Sequence, residues 1–345
     1  MAESLAEAVQ LKETLAISQA EPERQRFSDY AERWIEAHAS GVSPSTRERY
    51  VTELAYAVEA FGDFYVDAID EEDVKKWRNQ MDARPATKNS RLRTLRLVLE
   101  PACRRGVLRY NPARAVKEVS DSRTQGRRGN SLRPDEFARF VRTTAELSGT
   151  AFKADIGRMI LTAAWTGMRM GELRAVKWED LRDGELFVVR AVWNRIEKET
   201  KTDDPRLVVI PEPLAKILAE QRKWLMESQH PGLVSGLIFP ADPRHAKASS
   251  TRRGACELTW FRSGSVLTPA LTAIAEKAGV PSVSPHSFRR TYENLLRKAG
   301  VNDLVRRSLA GWRTEDTQAI YASHDREERD GAGEALVKLV TGAFK

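Results

Sequence analysis

Cysteine is almost missing from this chain. Cys103 and Cys256 are the two present among 345 residues, and neither has a second cysteine or a histidine at metal-ligand spacing. A disulfide framework and a zinc finger are excluded, and two reduced, core-type thiols fit a cytoplasmic protein. Long apolar runs are missing too. None approaches the roughly 18 residues of a membrane span, so no membrane partner is expected. The N-terminus lacks the basic-then-apolar pattern of a secretory signal. Internal repeats and low-complexity tracts are not found. Carboxylates are not gathered into a cluster of the kind that holds a catalytic metal ion, so no metal site is expected.

Positive charge is present in excess. Lysine and arginine number 56 against 49 acids, a net charge of +7, which favours a polyanionic partner. With 41% hydrophobic and 30% charged residues, the chain can bury real cores. Its length suggests two domains.

Residues 1–25 read as an N-terminal helical extension. Leu5 with Val9, and Leu11 with Leu15, pair at i,i+4, and Pro22 stops the run. Residues 26–118 read as an all-helical module. Phe27, Tyr30, Trp34 and Ile35 share one face, Ser43-Pro44 starts a second helix and Asp70-Glu71-Glu72 a third. Thr87 starts a helix whose Leu92, Leu95, Leu99 and Ala102 form an apolar stripe, with Pro101 expected to kink it and Gly106 to end it. Lys88, Arg91, Arg93 and Arg96 lie off that stripe. Such a face is either merely solvated or reads DNA.

Residues 119–133 are polar, basic and without periodicity, which marks an interdomain linker. From 134 to 324 the pattern is mixed. Pro134-Asp135-Glu136 starts a helix, Met159 to Trp165 belongs to a buried one, and Leu186–Val189 and Leu207–Ile210 read as short strands. The charged stretch from Asn194 to Asp204 is expected to join them as a strand extension and a turn. In the tail, 325–345, Leu336, Leu339, Val340 and Phe344 repeat at helical spacing after a Gly-interrupted charged run. The fold expected is mainly α with a small β-sheet: a helical domain followed by a mixed α/β domain.

Several residues could carry chemistry. In Thr166-Gly167-Met168-Arg169-Met170-Gly171-Glu172 a helix ends at Gly167 and another begins near Arg169, a corner where backbone N–H groups are free. Glu172, one turn on, can orient Arg169 or form an ordinary structural pair with it. His286 and Arg289 stand at i,i+3 behind Pro285, on one helical face. Lys201 falls in the expected turn, with Lys198 as its local competitor. Trp312 precedes Tyr321 by nine residues. Each is weak evidence alone.

Taken in order with their contexts, Thr-Gly-Met-Arg-Met-Gly-Glu-Leu, Lys-Thr before Val-Val-Ile-Pro, His-Ser-Phe-Arg-Arg-Thr, and Ala-Gly-Trp followed by Tyr, the sequence resembles the tyrosine recombinase (phage integrase) family. The resemblance covers residues 26–325. It implies that Tyr321 attacks a scissile phosphate and forms a 3′-phosphotyrosine. Arg169 and Arg289 would hold the non-bridging oxygens, with Glu172 behind Arg169. Lys201 would protonate the leaving 5′ oxygen, and His286 would assist proton transfer around the nucleophile. Trp312 stands where most members carry a second histidine; its indole N–H can donate to phosphate but cannot shuttle a proton.

The resemblance implies no ATP, no metal and no other cofactor. Implied partners are double-stranded DNA and three further copies of the chain, forming a tetramer that exchanges strands through a Holliday junction. A directionality factor or a host DNA-bending protein would be accessory. Arg47, Lys88, Arg91, Arg93, Arg127 and Arg128 are the expected DNA contacts. Only about 25 residues precede the helical module, too few for a compact arm-binding domain. Integration of a phage or mobile element is the leading role, beside a Xer-like or plasmid resolvase. A type IB topoisomerase, a catalytically silent DNA-binding regulator and a metal nuclease are the rival readings.

Overall fold

The computed structural model describes residues 24–39, 41–120, 131–148, 154–199, 206–243 and 260–311. The expected N-terminal helix up to Pro22, most of the linker including Arg127 and Arg128, Lys201, Trp312, Tyr321 and the tail lie outside the described residues. The chain divides into two compact units, Met1–Arg127 and Arg128–Lys345. Among the described residues no helix is long and apolar enough to cross a membrane.

The first unit is helical, with α1 (Phe27–Ala39), α2 (Pro44–Phe61), α3 (Glu71–Gln80), α4 (Pro85–Arg104) and the short α5 (Pro112–Ala115). Local chemistry sets its boundaries. Ser43 caps α2, its Oγ accepting from the Thr46 N–H, and Pro44 takes the first helical position. Asp70 and Asp73 form a reciprocal capping box at the start of α3. Helix α4 starts two residues before Thr87 and continues through Pro101 to Arg104. Leu92, Leu95 and Leu99 of α4 meet Phe27, Leu54 and Phe61 in a core where none is more than 3% exposed. The Tyr30 hydroxyl satisfies its polar end by donating to Val98 O at 2.9 Å.

The second unit is built around α7 (Ala154–Thr166), which packs against α6 (Pro134–Ser148), α9 (Glu212–Glu227) and α11 (Pro285–Lys298). Met159, Ile160, Ala163 and Ala164 of α7 are buried with Phe140, Leu214, Leu218 and Phe288. Each large side chain there contributes about 1.5–3 kcal/mol by burial. Helix α8 (Met170–Ala175) follows α7 after a three-residue corner, α10 (Thr268–Ala278) also packs on α6, and α12 (Asp303–Ala310) follows α11.

Among the described residues the strands fall into two small antiparallel sets. Strands β1 (Leu181–Arg182), β2 (Glu185–Val188) and β5 (Arg206–Val209) make an antiparallel sheet in the order β1-β2-β5, with Leu186 opposite Val208. Strands β3 (Arg190–Trp193) and β4 (Ile196–Glu199) form a separate hairpin. The stretch expected as strand extension and turn thus holds a strand of its own. Its two-residue turn, Asn194-Arg195, has φ of 44° and 65°, and paired positive φ values match the twist of the flanking strands. Asparagine tolerates that region; the sequence carried no Asn-Gly to announce it.

Candidate active site

The site grows from the corner between α7 and α8. Gly167 takes φ of 59°, the left-handed region that glycine enters without cost. Arg169 is then the N-cap residue of α8. Its backbone N–H donates to Glu172 Oε2 and its Nη1 to Oε1, both at 2.8 Å. Arg169 is half-buried, whereas Glu172 is 2% exposed. A buried carboxylate needs more than one half-buried partner, and the second is Arg206. From β5, Arg206 clasps the same carboxylate, Nη1 to Oε1 at 2.9 Å and Nη2 to Oε2 at 2.5 Å. Burial alone would raise the Glu172 pKa. The hydrogen bonds and charge of Arg206, then those of Arg169, outweigh it and hold the carboxyl at about 2.

Helix α11 supplies the other wall. Ser284 caps it in a capping box with Ser287, and Pro285 opens it. Phe288 turns inward against Phe140, ring centroids 5.3 Å apart. His286 and Arg289 share the face toward the Arg169 corner. Arg289, 1% exposed, donates Nη1 to Gly167 O at 3.2 Å and Nη2 to Ala310 O. Two of its donors are therefore spent on main-chain carbonyls, which fixes the plane of the fork between two corners. His286 keeps an exposed edge. Desolvation of its covered part, then the charges of Arg290, Arg289 and Arg169, hold its pKa below the ordinary value. The structure thus brings Arg169, Glu172, His286 and Arg289 together. Cations converge there beside one imidazole held toward its neutral form, an arrangement suited to an oxyanion that also needs a proton acceptor.

Arg206 was missed by sequence reasoning, which began the strand at Leu207. A signal existed. Side chains alternate in a strand, and extending the period one residue back puts Arg206 on the buried face of Val208. Lys198 lies in β4, its Cα paired with that of Ala191.

The expected DNA contacts of the first unit differ in their surroundings. Arg47 is exposed on α2. Arg91 stacks over Tyr56, its guanidinium carbon 3.3 Å from the ring centroid, and Lys88 is half-buried beside Asn79 O at 3.5 Å. Arg93 is held by Glu118, Nε at 2.9 Å and Nη2 at 2.6 Å, and Arg96 donates to the same carboxylate. These bonds keep the Glu118 carboxyl below the usual range.

Solved structures share this architecture. A lambda integrase(75-356) dimer bound to a COC′ core site aligns over 88% of this chain and 99% of its own, with TM-score 0.64 and 16% identity. A lambda integrase tetramer bound to a Holliday junction aligns over 92% and 86%, with TM-score 0.65 and 16% identity. The Tn1549 transposon integrase (aa 82-397) in complex with circular intermediate DNA gives 90%, 99%, 0.64 and 16%. At that identity the likeness establishes the fold. A "Tyrosine recombinase XerC-like" protein of Caldanaerobacter subterraneus subsp. tengcongensis is 27% identical over 212 residues, 57% of this chain and 51% of that protein. The match thus spans about half the length of that curated relative. The family model for the phage integrase central domain matches residues 27–119, and the model of the phage integrase family matches residues 130–328, over the corner, strands and helices that assemble the site. The chain belongs to the phage integrase family.

Proposed function

We propose that the chain is a site-specific DNA recombinase that cuts and rejoins DNA through a 3′-phosphotyrosine. The observation that carries this reading is the convergence of Arg169, Arg289 and His286 from two separate elements onto one corner. Tyr321 Oη attacks the phosphorus, its proton passing toward His286, and the bond from phosphorus to the 5′ oxygen breaks. Lys201 protonates that oxygen. Arg169 and Arg289 hold the non-bridging oxygens as planar forks and stabilise the charge that develops there. Trp312 donates its indole N–H to the phosphate. The phosphotyrosine retains the bond energy, so a 5′ hydroxyl can displace Tyr321 in the second step without ATP. Arg47, Lys88 and Arg91 of the first unit, together with Arg127 and Arg128 of the linker, contact the DNA backbone. Arg93 joins them on release from Glu118.

Four protomers act on two duplexes, and the tail over 325–345 docks on a neighbouring protomer. Integration of a mobile element is the role proposed; the XerC-like relative favours a resolvase as the second reading. The test uses nicked duplexes of random sequence, from which the short released strand carrying the new 5′ hydroxyl diffuses away. Denaturing gels in EDTA should show a DNA–protein adduct with the parent chain and none with Tyr321→Phe. An equal adduct from Tyr321→Phe, or no adduct from the parent with any duplex, refutes the proposal. Sequencing the captured DNA gives the site, and joining two such sites separates integration from resolution by product.

A further inference from the structure

Arg206 stands where three parts of the site meet. Its two terminal nitrogens clasp Glu172, the residue that orients Arg169. Its Nε donates to Leu309 O at 3.1 Å, at the end of α12. The same α12 terminus receives Arg289 through Ala310 O. Gly311 turns away in the left-handed region at φ of 64°, and a Cβ there would lie 2.8 Å from Arg206 Cδ. The main chain thus passes directly over the arginine stem, one residue before Trp312.

The charges define what this contact does. Glu172 is buried and ionised. Paired with Arg169 alone, it would cancel the charge that a phosphate needs and would attract both terminal nitrogens of Arg169. With Arg206 occupying both carboxylate oxygens, Arg169 gives one terminal nitrogen to Glu172, and the trio keeps a net positive charge.

We infer that Arg206 is a positioning residue: by neutralising Glu172 it leaves the Arg169 fork available to the scissile phosphate, and by holding Leu309 O it ties that fork to the end of α12. This rests on the proposed recombinase chemistry, in which Arg206 acts through Glu172 and Arg169.

Two measurements test it. The first compares adduct formation on captured-site duplexes carrying either the natural phosphodiester or a methylphosphonate, which lacks the negative charge that Arg169 would bind. Arg206→Met should slow the phosphodiester by about tenfold or more and lose much less on the methylphosphonate, as Arg169→Ala should. Equal losses on both substrates would mean a merely structural arginine, and parent rates on both would mean an idle one; either overturns the inference. Should Arg206→Met fail to fold, Arg206→Lys is read on the same pair. It keeps the buried charge, loses the fork, and should show a smaller loss with the same substrate bias. The second measurement needs no DNA. In protein carrying 13C-labelled glutamate carboxyls, the signal that Glu172→Gln removes should titrate far below the ordinary carboxylate range in the parent and move upward in the Arg206 variant. An unmoved titration overturns the coupling even if the parent cleaves nothing, whereas a parent without adduct and with the expected titration refutes only the recombinase reading.

Discussion

The ring of Tyr292 closes over Gly167. A Cβ on that glycine would lie 2.9 Å from Tyr292 Cδ1, and the backbone there sits at φ of 59°. Helix α11 can therefore approach the Arg169 corner closely enough for Arg289 to reach Gly167 O.

Gly167→Ala should consequently be costly on two counts. The left-handed conformation alone costs an L-residue about 1–2 kcal/mol, and displacing the Tyr292 ring adds to it. Urea unfolding should show a loss of roughly 2–4 kcal/mol, and adduct formation should fall in the fraction that remains folded. A variant as stable as the parent would mean that α11 does not pack on this corner.

Arg169→Lys and Arg289→Lys should separate the two arginines. Lysine keeps the charge and loses the fork, so each should slow adduct formation by about 10²-fold. Arg169 is half-buried, and its replacement should change stability by less than about 1 kcal/mol. Arg289 is 1% exposed and bonded to two carbonyls, so its replacement should also lower the melting temperature. Equal melting temperatures for both variants would contradict the burial difference.

Glu172 should give acid unfolding a signature. Its carboxyl sits at about 2 against an ordinary 4.5. A depressed native pKa means that the unfolded chain binds the proton more readily. The stabilisation is fully present above about pH 5 and is lost as pH falls from there toward 2. It amounts to roughly 3 kcal/mol. Glu172→Gln should flatten that part of the stability profile and cost about 3 kcal/mol at neutral pH, because Arg206 would be left buried without its counter-charge. Urea titrations at a series of pH values measure both. His286, lowered by desolvation and three arginine charges, should titrate below the ordinary histidine value in free protein. Its NMR-detected pKa should rise when a DNA phosphate enters; no rise would place it away from the phosphate.

Lys201 is expected to act as the general acid. Lys201→Ala should lose cleavage of ordinary DNA and regain it on a 5′-bridging phosphorothiolate, whose sulfur leaves without a proton. Rescue of Lys198→Ala in place of Lys201→Ala would transfer the role to the β4 lysine.

Much of this protein was legible without coordinates. Starts such as Ser43-Pro44, Asp70 and Pro285 act within a turn of the helix they open, so sequence alone locates them. The stripe Leu92, Leu95, Leu99 reports a buried helix face by its period. The resemblance to the phage integrase family, read from the motif order, is borne out by both family models. What failed was local as well: the hairpin turn at Asn194-Arg195 uses two non-glycine residues at positive φ, which composition does not signal.

The sequence by itself determined the helical elements, the corner at Gly167 and the i,i+3 placement of His286 and Arg289, because these depend on residues within a turn or two. Tertiary structure decided which charges meet. Glu172 and Arg206 are 34 positions apart, and Arg206 and Leu309 are 103 apart. Arg93 finds Glu118 across 25 positions. A sequence with 56 cations and 49 acids offers many such pairings. Only packing, which buries one carboxylate and leaves another in water, selects among them.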